Sequence, residues 1–304
     1  MGEFSKRIGD VGENVVVEFL KLIGWLDPQR NTDIDSVDKE HRKVSNGIDG
    51  LFHYINPMIS NTVEFIHYSS KYSLASYPAS KLIPTFKEYY TDLVKTIESY
   101  KKSEQNQTTQ YYYENIETFF YRGVIFWLNN SKDGEDDILS KLRNIELNTG
   151  VEHDGVFLVD NKRILFIYDA INYTKLKYPK GEGYEVEFIY FLNGLNSNDN
   201  NIRSGNILPV EFINSSILPM KATKNNETTV ILFAIDNFTK EDLMKYFGIA
   251  KNIGCNVQGA TNICFPDYQE SIHRPDVDNL KQTFNEPQFT RSLTVSNYNY
   301  QLFN

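Results

Sequence analysis

Gly47-Ile48-Asp49-Gly50-Leu51-Phe52-His53-Tyr54, followed by Val63-Glu64-Phe65-Ile66-His67-Tyr68-Ser69-Ser70-Lys71-Tyr72, is the stretch that decides the fold. Both runs are rich in β-branched and aromatic residues. The turn formers Asn56-Pro57 and Ser60-Asn61 stand between them, so the pair reads as two extended strands. Upstream, Val15, Val16, Phe19, Leu20 and Ile23 recur at helical spacing, and Gly24 supplies a stop. That predicts a helix over residues 11–24, joined to the strands by a polar, acidic connection over 27–43. Downstream, Phe86, Tyr89, Tyr90, Leu93, Ile97 and Tyr100 predict a second helix over 85–102, and the polar residues 103–110 read as a loop. Gly123-Val124-Ile125-Phe126-Trp127-Leu128 is almost wholly apolar, as a strand buried on both faces should be. A helix over 134–143 follows, and then residues 156–159 and 164–168 read as a hairpin about Asp160-Asn161-Lys162.

The first 175 residues therefore read as a mixed α/β unit. In residues 176–304, strands are expected at 186–192, 207–213 and 229–235. A helix over 240–249 follows, with Thr239 as its N-cap, while the Asn- and Ser-rich residues 193–205 read as a mobile loop and the tail from 275 carries no assignable pattern. The expected organisation is two domains, 1–175 and 176–304, the second an α+β region suited to partner contact. No repeat of fixed period is present.

Composition narrows the function. Of 304 residues, 40% are hydrophobic and 14% aromatic, enough for a real core and against intrinsic disorder. The net charge is −9, and neither half is basic: residues 1–150 hold 17 Lys and Arg against 22 Asp and Glu, the remainder 14 against 18. A generally sticky nucleic-acid binder is excluded, so any such site must be a local patch. Two cysteines build no disulfide framework and match no zinc knuckle. No apolar run approaches a membrane span, and no apolar segment follows the N-terminal charges as in a secretory leader, so a reducing cytoplasm is expected. Walker, HExxH, GxSxG and dinucleotide motifs are absent.

One constellation stands out: Glu13 in the first helix, Asp49 at the head of a strand, and Lys71 at the end of the next, 22 residues after Asp49. Carboxylates hold a hard, oxygen-seeking Mg²⁺. The ion polarises a phosphate and activates water, and a neighbouring Lys offsets growing negative charge. Each residue also has an ordinary reading. Asp49 before Gly50 could start a turn, Lys71 could be solvated, and Glu13 could simply favour a helix N-terminus.

The order helix, Asp strand, Lys strand, helix, strand resembles the core of the PD-(D/E)XK nucleases of the restriction-endonuclease-like superfamily. The likeness extends to Gly2-Glu3-Phe4-Ser5-Lys6, Gly12-Glu13, Ile23-Gly24-Trp25, Gly47-Ile48-Asp49-Gly50-Leu51-Phe52, Ser69-Ser70-Lys71-Tyr72 and Tyr77-Pro78-Ala79-Ser80. Over roughly residues 1–130 these are similar to the nuclease subunit of a two-gene, GAPS-type bacterial anti-phage defence system. The resemblance implies an αβββαβ core with a mixed sheet, a Mg²⁺-dependent deoxyribonuclease with Mn²⁺ as substitute, and a cytoplasmic complex with a second defence protein. A homo-oligomer is compatible with it.

One departure matters. The superfamily places an acidic residue or Gln two positions before the Lys, and here that residue is Ser69. Strand alternation puts His67, Ser69 and Lys71 on one face and Glu64 and Tyr68 on the other, so Glu64 is no simple substitute unless the strand carries a bulge. Asp49 and Glu13 are the expected metal ligands, Lys71 the catalytic cation, and Ser69 the occupant of the acidic slot. Arg42, Lys43 and His67 are candidates for phosphate contact, against the commoner readings of a charged loop and a half-buried His. The alternative function is a nuclease-like module that binds DNA or assembles a complex with little or no turnover.

Overall fold

The computed structural model describes residues 2–35, 45–130, 137–147, 149–191, 203–254, 259–284 and 286–299. The chain forms two compact units, Met1–Ile164 and Leu165–Asn304. Among the described residues, no helix is long and apolar enough to cross a membrane.

The first unit opens with helix α1 (Gly2–Leu22), which buries Val16, Phe19 and Leu20 at the spacing the sequence displays. Its stop is the expected Gly24, at φ 82°. There the Trp25 amide donates to Leu20 O (2.8 Å) and the Gly24 amide to Lys21 O (3.2 Å), a left-handed glycine cap. Five strands follow in spatial order: β1 (Gln29–Asp35), β2 (Ser45–Ile55), β3 (Thr62–Ser73), β4 (Thr118–Asn129) and β5 (Val156–Val159). The first three form an antiparallel meander, while β4 runs parallel to β3 and β5 parallel to β4. The sheet is mixed, as the αβββαβ reading requires. Helix α2 (Leu82–Lys101) makes the crossover from β3 to β4 and packs Phe86, Tyr90, Leu93 and Ile97 against Leu51, Val63 and Phe65.

Three expectations in this unit fail, each for a local reason. The polar connection after α1 contains β1, an edge strand that needs no apolar alternation because it pairs on one side only. The loop over 103–110 contains helix α3 (Glu104–Tyr111), started by Ser103, whose Oγ accepts from the Asn106 amide (3.1 Å). The hairpin after residue 155 is a strand followed by helix α5 (Asn161–Lys177). Asp160 is the cap of α5, not a turn residue: its Oδ1 accepts from the Arg163 amide (3.0 Å) and its backbone O from Ile164 (3.1 Å). Short helix α4 (Ile138–Leu142) precedes β5, and part of the helix expected there lies outside the described residues.

The second unit holds a six-stranded sheet from β6 (Glu185–Ile189), β7 (Ser204–Gly205), β8 (Ile217–Lys224), β9 (Glu227–Ala234), β10 (Thr261–Phe265) and β11 (Leu293–Asn297), in spatial order β11-β10-β9-β8-β6-β7. Strands β9, β10 and β11 are parallel and the rest antiparallel. Helix α6 (Lys240–Gly254) starts as expected at Thr239, whose Oγ1 accepts from the Asp242 amide (3.0 Å). The tail contains α7 (Glu270–Thr283), α8 (Pro287–Ser292) and β11. The strand expected over 207–213 is instead a short 3₁₀ turn after Pro209, and β8 replaces it. The segment expected to be mobile falls largely outside the described residues.

Candidate active site

The β2–β3 ladder ends at the pair Gly50–Tyr68. Just beyond it, Asp49 and Ser69 meet through side chains. Ser69 Oγ donates to Asp49 Oδ2 (3.1 Å), and the Ser70 amide donates to the same oxygen (2.8 Å). Among the described residues, Oδ1 of Asp49 accepts no hydrogen bond. One carboxylate oxygen is thus fixed and the other left open, on a half-buried side chain. Asp49 is a strand residue and no turn former.

Gly50 explains the Asp-Gly pair. A Cβ there would lie 2.0 Å from Tyr68 Cζ, so a larger residue would have to displace that ring. Tyr68 is 3% exposed, and among the described residues its hydroxyl has no hydrogen-bond partner. Burial first, opposed by Arg30 and joined by the charges of Asp49 and Glu13, pushes its pKa up to about 12. Gly12 plays a similar part on α1: a Cβ there would meet Tyr72 Cβ at 2.3 Å. Close approach at Gly12 brings α1 against Tyr72 of β3. Strand alternation puts Asp49, Ser69 and Lys71 on the other face, which α2 covers. The charges of Glu13 and Asp49 are both felt at the Tyr68 hydroxyl, and Glu13 makes no hydrogen bond to Asp49, Ser69 or Lys71.

Lys71 is half-buried at the exposed end of β3, its Nζ 5.3 Å from the centre of the Tyr89 ring. Among the described residues it forms no ion pair. Tyr89 stands edge-on to Trp127 (5.4 Å, 84°), and Trp127 sits opposite Lys71 in the β3–β4 register. The backbone at Trp127 is held by Tyr77, whose hydroxyl donates to Trp127 O (2.8 Å) and also lies within hydrogen-bond reach of Asn161 Oδ1 (3.0 Å). Sequence reading placed Tyr89 in the α2 pattern and missed its contact with Lys71, because helical spacing does not reveal which residue ends over a strand terminus.

The other candidates separate cleanly. Glu64 is fully buried, its Oε2 paired with Arg122 Nε (2.9 Å) and its Oε1 accepting from Asn56 Nδ2 (2.7 Å). As alternation indicated, it is no substitute for Ser69. His67 is also fully buried, edge-on to the Tyr100 ring at 4.7 Å, and burial pulls its pKa down to about 3. The phosphate contact considered for His67 is thereby corrected: a neutral side chain with no exposed surface cannot reach a nucleic-acid backbone. Arg42 and Lys43 lie outside the described residues. Glu152-His153-Asp154-Gly155 is structural, with Asp154 Oδ2 accepting from the Tyr121 amide (2.7 Å) and His153 Nε2 meeting Tyr90 Oη (2.7 Å).

Among the described residues, no three His, Cys, Asp or Glu side chains converge on a point. Mg²⁺ does not need three: it retains waters and binds through one or two carboxylates together with substrate phosphates. The open Oδ1 of Asp49, beside the Ser69 hydroxyl, is a hard-oxygen set of that kind.

No curated protein matches the chain. Residues 1–163, more than half of it, match the family described as the GAPS4 protein PD-(D/E)XK nuclease domain, and the chain belongs to that family.

Proposed function

From that membership, we propose that the first unit is a Mg²⁺-dependent deoxyribonuclease serving anti-phage defence together with a second protein. The observation that carries the reading is the bonding of Asp49, with Oδ2 tied to Ser69 and Ser70 and Oδ1 accepting no hydrogen bond among the described residues. Asp49 would hold the ion as principal ligand, with Glu13 as a more distant carboxylate. Bound there, Mg²⁺ or Mn²⁺ would polarise the scissile phosphate and lower the pKa of the attacking water. Ser69 fixes the Asp49 carboxylate in place and adds no charge, so the site should bind its metal weakly. Lys71 supplies positive charge at the same strand end, where it orients the water and offsets charge growing on the phosphate oxygens. The second unit is a natural region for partner contact.

Ser69 also favours a second reading, a nuclease-like module that binds DNA with little turnover. One experiment separates the two. Linear and closed-circular DNA are incubated with the purified chain, alone and with its partner, in Mg²⁺, Mn²⁺ or EDTA, beside Asp49→Ala. The nuclease reading expects metal-dependent cleavage that the variant loses. Retarded DNA on a gel with no cleavage under any condition moves the assignment to the binding module.

A further inference from the structure

Lys71 is a flexible ammonium on a four-carbon stem, and catalysis by such a group depends on what restrains it. Its backbone is fixed by the β3–β4 ladder, but the described residues offer its Nζ no carboxylate. What lies beneath the ammonium is the face of Tyr89, at 5.3 Å, within the range where a cation is attracted by a ring. Tyr89 is itself held: Trp127 meets it edge-on, and Tyr77 meets Trp127 edge-on from elsewhere (5.5 Å, 84°). Tyr77 in turn is bonded to Trp127 O and to Asn161, which clasps Asn129 through its N–H and C=O (3.0 and 2.7 Å). A chain of aromatic and amide contacts thus leads from the start of α5 to the Lys71 ammonium.

Resting on the nuclease reading, we infer that Tyr89 is a positioning residue, whose ring seats Lys71 toward the phosphate held at Asp49. A carboxylate partner would neutralise the charge; an aromatic one restrains the ammonium and leaves its three donors available. The ring is what matters, and the hydroxyl is dispensable.

The test compares Tyr89→Leu with Tyr89→Phe in the full chain with its partner. Tyr89→Leu is expected to lower kcat on the order of 3- to 10-fold with KM little changed, and Tyr89→Phe to restore it. A second measurement does not depend on turnover. After reductive ¹³C-methylation, the Lys71 resonance, assigned by its loss in Lys71→Arg, should be displaced by ring current in wild type and Tyr89→Phe. In Tyr89→Leu it should return to the position of solvated lysines. Equal kcat for the Leu and Phe variants, or a Lys71 resonance at the solvated position in wild type, overturns the proposal. Absence of cleavage by wild type with the resonance still displaced sinks the nuclease reading and leaves the seat standing.

Discussion

Asp49 and Glu64 are two carboxylates on one hairpin, and the structure gives them opposite fates. Glu64 lies in the buried half of β3, with each oxygen engaged by a fixed partner, Arg122 or Asn56. Asp49 stands at the half-exposed end, with one oxygen fixed and the other accepting no hydrogen bond among the described residues. A buried carboxylate must be fully paired because desolvating a bare charge is prohibitive, so its capacity to bind anything else is exhausted. A carboxylate at a strand end keeps solvent access and can exchange water for metal. Position along the same two strands, and not residue type, separates structural acid from candidate ligand. Ser69 and His67 repeat the contrast: two residues apart on one face, one reaches Asp49 while the other is sealed under Tyr100.

The sharpest way to break this comparison is to remove each carboxylate in turn. Asp49→Ala should reduce metal-dependent cleavage on the order of 10³-fold or more while leaving the thermal midpoint nearly unchanged. Activity within 10-fold of wild type would remove Asp49 from the chemistry. Glu64→Ala should do the reverse, lowering unfolding free energy by about 3–5 kcal/mol because Arg122 stays behind without its carboxylate. Denaturant titration measures it, and a loss under 1 kcal/mol would show that the Glu64 pair is not the buried strut described.

His67 sharpens the contrast through pH. Its folded pKa, lowered by burial to about 3, lies below the ordinary 6.5, so the unfolded chain binds the proton first. Its contribution to stability is therefore fully present above pH 6.5 and is lost as pH falls from there toward 3, by roughly 1.4 kcal/mol per pH unit. His67→Phe should flatten that part of the stability profile. Identical slopes for wild type and variant between pH 6 and 4 would show that His67 is not the group responsible. The smallest effect concerns Gly50. Adding a methyl under Tyr68 should destabilise by about 1–3 kcal/mol through overpacking. Tyr68→Ala should make Gly50→Ala nearly neutral in the double variant, and simple additivity would deny the contact.

Much of the first unit was legible because its signals are local. The α1 pattern with its Gly24 stop, the two β strands around Asn56–Asn61, and the apolar run of β4 each carry their own period or terminator. Asp49 and Lys71 could be chosen because order and strand context narrowed them. What escaped were elements whose reason lies elsewhere in the molecule. Strand β1 is polar because it is an edge, α3 buries only Asn106 and Thr109 among its polar residues, and Asp160 reads as a turn until the helix it caps is seen. The ring beneath Lys71 escaped for the same reason, since Tyr89 and Lys71 meet only when α2 folds across β3.

By itself, the sequence determined the strand pair, the alternation that sets Ser69 and Lys71 on one face and Glu64 on the other, and the family to which the first 163 residues belong. Alternation follows from backbone geometry and holds wherever a strand carries no bulge. Tertiary structure alone decided that His67 is sealed, that Glu64 is paired and that, among the described residues, one oxygen of Asp49 accepts no hydrogen bond. Those are questions of burial and of partners remote in the chain, and desolvation acts on the folded surroundings of a side chain, not on its neighbours in sequence.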